Sequence, residues 1–234
     1  MQSHWVRKQD NTSLIIFVLG WAADHRVVEH IAPEGYDVAC LYDYRDFTPG
    51  TVSDPAFPLN LGSVAAVLDE ISGVSYADRY LFAWSFGVWA AERIFGNSGI
   101  AFTGIAAFNG TPFPVNERFG IEPRRMAITL RGLKEGGMDV FNRRAYGSTY
   151  EKYSAVLSPR TTEENAAELE TLVESSVLEY MPSLSWSEAV VGGGDLIFPP
   201  ENMLRYWGPR AKSLPLPHYP FDDGRIIEKY LGNR

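Results

Sequence analysis

The chain has 234 residues, 45% hydrophobic and 21% charged, the composition of one ordinary globular domain and not of a disordered or fibrous chain. A formal charge of −8 argues against a nucleic-acid binder, whose binding face is basic. The single cysteine, Cys40, excludes an internal disulfide; the opening Met1-Gln-Ser-His-Trp-Val-Arg-Lys8 lacks signal-peptide character, and no early apolar run is long enough to cross a bilayer. The expectation is a cytoplasmic monomer that engages neither membrane nor nucleic acid.

In chain order, residues 14–19 (Leu-Ile-Ile-Phe-Val-Leu) form a continuous apolar run closed by Gly20, the pattern of a strand buried on both faces. His4 precedes it in an N-terminal tail, and the spacing at 22–31 predicts a helix carrying His25 and His30. Further strands are predicted at 38–42, where Cys40 reads as a small buried hydrophobe, and at 80–84, 100–108, 188–191 and 211–216. Helices are predicted at 62–71, 86–95, 200–207 and 225–231, the last with Asp223 as its N-cap. Strands interleaved with helices imply a parallel sheet with right-handed crossovers, an α/β fold. Residues from about 111 to 185 break the alternation. There Thr162, Glu163 and Glu164 precede Leu169, Leu172, Val173, Val177 and Tyr180 at helical spacing, so the block reads as a helical cap inserted between two strands of a single domain.

Ser85 lies where the strand ending in Trp84 meets the helix opening with Phe86. A sharp strand-to-helix turn of this kind exposes a serine hydroxyl at the sheet's C-terminal edge, and small residues on either side let strand and helix approach. Gly87 supplies one small position and Ala83 the other, in place of the usual glycine. The plainer alternative is a serine capping the following helix. A serine nucleophile needs a base. His218, set among prolines after the last strand in Leu214-Pro-Leu-Pro-His218, sits where α/β sheets place their chemistry. Asp195, after Gly192-Gly193-Gly194, is the candidate carboxylate, though an aspartate there also suits a turn. The order Ser85, Asp195, His218 is that of the α/β-hydrolase fold. Backbone N–H groups of Trp21 and Phe86 are the candidate oxyanion donors, and Trp21, Trp84 and Phe86 would wall the site. No metal-ligand spacing and no phosphate-binding glycine loop occurs, so neither metal nor cofactor is expected.

Between 118 and 144, Arg118, Arg124, Arg125, Arg131, Lys134, Arg143 and Arg144 stand against only Glu122, Glu135 and Asp139. Arg124, Arg131 and Lys134 could share one helix face. Such a patch is either a solvated surface or a dock for an acidic partner over the site.

The strings Phe82-Ala-Trp-Ser-Phe-Gly-Val-Trp-Ala-Ala-Glu92, Leu41-Tyr-Asp-Tyr-Arg-Asp46, Phe108-Asn-Gly-Thr111, Phe119-Gly-Ile121 and Asp195-Leu-Ile-Phe-Pro199 resemble the BioG type of pimeloyl-[acyl-carrier protein] methyl ester esterase. The resemblance runs from Gly20-Trp21 to His218 and implies a serine esterase of biotin synthesis, which frees the distal carboxylate of a pimeloyl chain borne on acyl carrier protein. Acyl carrier protein is acidic, which would give the basic cap its partner. A carboxylesterase or thioesterase on another acyl substrate, or a non-catalytic carrier-binding module, are the alternatives.

Overall fold

The computed structural model describes residues 1–47, 64–177 and 180–231. Seven strands, β1 (Gln2–Arg7), β2 (Ser13–Val18), β3 (Asp37–Tyr42), β4 (Asp78–Trp84), β5 (Gly104–Phe108), β6 (Glu188–Gly192) and β7 (Ala211–Leu214), form one sheet in the order β1-β3-β2-β4-β5-β6-β7. Among the described residues only β1 runs antiparallel, against β3. The other pairings are parallel. A parallel sheet is covered on both faces, and β2 shows how its sequence meets that demand. Leu14, Ile16 and Val18 enter one core and Ile15, Phe17 and Leu19 the other, because successive side chains point to opposite faces.

Helices α1 (Val64–Gly73), α2 (Phe86–Phe95) and α7 (Pro200–Trp207) cover the first face, and α8 (Arg225–Glu228) the second. Between β5 and β6 the chain carries α3 (Pro123–Gly132), a wide π-type turn over Leu133–Gly137, α4 (Met138–Tyr146), α5 (Tyr150–Tyr153) and α6 (Thr162–Ser176). Thr161 starts α6 with a capping box: its hydroxyl accepts the Glu164 N–H at 3.2 Å, and the Glu164 carboxylate accepts the Thr161 N–H at 2.9 Å. Leu169 and Leu172 of α6 are fully buried. This segment straddles the sheet, since Met126, Leu133, Leu169 and Leu172 join one core while Ala145, Tyr146 and Tyr153 join the other.

The structure corrects four of these expectations. His4 lies in β1, opposite Cys40 of β3, and not in a free tail. The helix expected at 22–31 is two short 3-10 turns, His25–Val27 and Glu29–Ile31; Ala22 has φ 62° and the Asp24 side chain accepts the Arg26 N–H, so backbone groups that would start an α-helix are used locally. The strand expected at 100–108 begins only at Gly104, and that at 211–216 ends at Leu214, before the prolines. The helix expected at 62–71 is present as Val64–Gly73, and 62 and 63 lie outside the described residues.

The chain runs from β2 outward to β3, then crosses back to β4 on the other side of β2. The loops after β2 and β4 therefore part at this crossing, the point where open α/β sheets form their crevice. Trp21 follows β2 and Ser85 follows β4.

Candidate active site

Ser85 has φ 58° and ψ −127°, a conformation in which a non-glycine residue is strained and persists only when its surroundings impose it. Those surroundings are the neighbouring strands. The Ser85 N–H donates to Phe108 O at 2.9 Å, tying the turn to β5. A Cβ at Gly87 would lie 2.1 Å from Val18 O, and one at Gly110 would lie 2.3 Å from Ser85 O, so both backbones approach closer than any side chain permits. Ala83 is fully buried on β4 and belongs to the first core.

His218 Nε2 lies 3.0 Å from Ser85 Oγ, and His218 Nδ1 lies 2.7 Å from Asp195 Oδ2. All three side chains are buried. An ionised carboxylate only accepts, so Nδ1 donates to Asp195 and Nε2 is left to accept the serine proton. The second Asp195 oxygen accepts the N–H groups of Ile197 and Phe198, each at 2.8 Å. Turn shaping and the hold on His218 thus fall to different oxygens of one carboxylate. A chain of this geometry can take a proton from the hydroxyl as it attacks a carbonyl.

The backbone of His218 is fixed as tightly as its ring. Its carbonyl accepts the Trp84 indole N–H at 2.8 Å and Asn109 Nδ2 at 2.8 Å. Asn109 Nδ2 also donates to Pro217 O at 2.9 Å, while Asn109 Oδ1 accepts the Gly192 N–H at 2.6 Å. One fully buried amide therefore joins the end of β5 to the loops bearing Asp195 and His218. Sequence reasoning assigned Asn109 no role; its signals were the turn-favouring pair Asn109-Gly110 and its place in the Phe108-Asn-Gly-Thr111 string.

A cavity of about 480 Å³ opens at Ser85. Trp21 and Phe86 line it with Ile121, Met126, Ile128, Val140, Phe141, Leu196 and Ile197, mostly apolar surface contributed by α3, α4 and the loop after β6. Trp84, expected to wall the site, instead packs behind His218, with ring centroids 5.4 Å apart, and is not among the cavity's lining residues. Of the basic residues, Arg125 and Arg144 line the cavity. Arg118, Arg124, Arg131 and Arg143 are exposed. Arg143 is paired with Asp139 at 2.8 Å and stacks on Tyr150. Arg124 and Arg131 lie on α3, seven residues apart and so on one face. Lys134 follows α3, in the π-type turn, and its side chain lies outside what the structure describes.

Away from the cavity, ligand atoms of His4, His25 and Glu29 lie within 4.8 Å of one another, a grouping the sequence spacing does not announce. The two rings stack at 3.7 Å, with 21° between planes, so their in-plane lone pairs run side by side instead of converging on one ion. Among the described residues no helix is long and apolar enough to cross a membrane.

Sheet order, flanking helices and the turn at Ser85 define the class, an α/β-hydrolase. A family model described as "Pimeloyl-ACP methyl esterase BioG" matches residues 67–222, and the chain belongs to that family. BioG from Haemophilus influenzae superposes with a TM-score of 0.76 at 28% identity, covering 94% of each chain. A Haemophilus influenzae protein of unassigned function is 32% identical over 202 residues, 85% of this chain and 83% of its own length. A malonyl-[acyl-carrier protein] O-methyltransferase from Bacteroides fragilis is 31% identical over 196 residues, 82% of this chain. The match spans only 36% of that relative's length.

Proposed function

We propose that this protein hydrolyses the methyl ester of a pimeloyl chain carried on acyl carrier protein, releasing methanol and freeing the distal carboxylate in biotin synthesis. The observation that carries the reading is the Ser85–His218–Asp195 hydrogen-bonded chain opening on a mostly apolar cavity. The apolar lining suits a methylene chain, and Arg125 and Arg144 suit an acidic carrier or the phosphate of its prosthetic arm. Family membership favours the same substrate. So does the Bacteroides relative, whose name describes the addition of a methyl group to a carrier-bound malonyl unit.

In this mechanism His218 Nε2 takes the Ser85 proton as Oγ attacks the ester carbonyl. The tetrahedral oxyanion is held by the N–H groups of Trp21 and Phe86; the latter opens α2, where the first N–H groups have no partner within the helix. Imidazolium, steadied by Asp195, returns the proton to the departing methoxide. Water then repeats the sequence on the acyl-enzyme, with His218 again the base. Because the three residues act as a unit, Ser85→Ala and His218→Ala should each lower kcat by about 10⁴-fold or more. A fluorophosphonate should label Ser85 and stop turnover; labelled enzyme that still hydrolyses the ester would refute the serine mechanism.

A further inference from the structure

Ala22, one residue after the candidate oxyanion donor Trp21, has φ 62°. A residue with a Cβ is rarely found there and needs an outside hold. The hold comes from α6, far along the chain. The Ala22 N–H donates to Glu168 Oε2 at 3.0 Å, and the Tyr44 N–H, in the loop after β3, donates to Glu168 Oε1 at 3.1 Å. Arg160 Nη1 donates to Glu168 Oε2 at 2.8 Å, while Nη2 of the same guanidinium donates to Ala23 O at 3.1 Å. One turn earlier on α6, Asn165 O accepts the Trp21 indole N–H at 2.8 Å. The loop held in this way abuts the serine: a Cβ at Gly20 would lie 2.9 Å from Ser85 Cβ and 3.4 Å from Ser85 Oγ.

Glu168 is fully buried. Burial pushes its carboxyl pKa up, against the opposing pull of Arg160 and the two peptide N–H groups. Packing alone does not explain such a group, since an apolar side chain of similar size would fill the space without the desolvation cost of a buried carboxylate. Two of its three polar contacts instead go to the loops after β2 and β3, and the third, Arg160, itself donates to Ala23 O.

We propose that Glu168 is a positioning residue, which holds the Trp21–Ala22 peptide so that the Trp21 N–H faces the reacting carbonyl oxygen and thereby links the helical insert to the oxyanion site. This inference rests on the serine-esterase reading above. Glu168→Gln keeps the shape, removes the charge facing Arg160 and turns an N–H₂ either toward the Tyr44 N–H or toward the Ala22 N–H and Arg160 together, so the clamp loses at least one bond in either orientation. With a short p-nitrophenyl ester, its kcat should fall about tenfold to hundredfold, below the cost of deleting an oxyanion donor outright, with KM changed less than about twofold. Affinity for a trifluoromethyl ketone, which forms a tetrahedral adduct with the serine, should fall by the same factor as kcat/KM; a residue that served folding alone would not give that match. A folded Glu168→Gln enzyme with unchanged kcat, or with its whole loss in KM, overturns the proposal. If that variant does not fold, Arg160→Gln, which spares both peptide N–H hydrogen bonds to Glu168 but frees Ala23 O, should show a smaller loss of the same kind; unchanged kcat there overturns it equally. Ser85→Ala runs alongside. Activity surviving in Ser85→Ala would sink the serine reading itself, whereas an inactive Ser85→Ala beside a fully active Glu168→Gln removes only the role of Glu168.

Discussion

Asn109 ties the loop bearing the base to the end of β6. Its φ of 46° is one that asparagine tolerates better than most residues with a Cβ. Its amide serves three backbone groups from two loops. Asn109→Ala would leave the Gly192 N–H and Pro217 O without this partner, while His218 O would keep the Trp84 indole. At about 1–3 kcal/mol for each buried group left unsatisfied, the loss of stability should be about 2–5 kcal/mol, measurable by urea unfolding. Asn109→Asp keeps the acceptor for Gly192 but sets a carboxylate oxygen against two carbonyls, so it should depress both stability and kcat; a variant with wild-type values would show that the amide positions nothing. Ser85, Asp195 and His218 could be picked out from sequence because each follows a strand, and strands were legible as apolar runs. Asn109 and Glu168 could not. Their partners lie as far as 109 and 146 residues away, and a clamp between distant loops leaves no periodic trace.

At the level of elements, the β1 edge carries a histidine whose protonation opposes folding. His4 of β1 stacks on His25, and burial, with His25 alongside, holds the His4 pKa below its ordinary value of 6.5. A lowered histidine pKa means that the unfolded chain binds the proton more readily. The His4 contribution to stability is therefore complete above pH 6.5 and is lost as the pH falls through that value toward the folded-state pKa. The melting temperature should drop as the pH falls below about 6.5, and His4→Gln should reduce that drop; an equal drop in the variant would place the acid sensitivity elsewhere. Sequence periodicity misses β1 because its residues are half-exposed and polar, typical of a short edge strand. It also misreads 22–31, where Ala22, Val27, Val28 and Ile31 imitate helical spacing while the Asp24 side chain draws the backbone into tighter turns. The amphipathic helix at 162–176 was legible because its cap and its buried leucines are both local signals.

For the molecule as a whole, the sheet supplies a fixed row of strand ends, and the insert between β5 and β6 supplies the cavity walls, the arginines at its lining and the hold on the loop after β2. An acidic carrier would then be recognised by exposed cations on α3 and α4. Arg125→Ala combined with Arg144→Ala should raise KM for carrier-bound ester about tenfold or more, with a smaller effect on a short synthetic ester, and added salt should narrow the difference. Equal losses on both substrates would argue that these arginines serve the cavity and not a carrier. The most direct measurement is intact-protein mass spectrometry of pimeloyl-carrier methyl ester after incubation with wild-type enzyme and with Ser85→Ala. Wild type should remove the methyl group and leave the thioester to the carrier whole, while Ser85→Ala leaves the substrate unchanged. Release of the free carrier thiol by wild type, or demethylation by Ser85→Ala, would contradict the account.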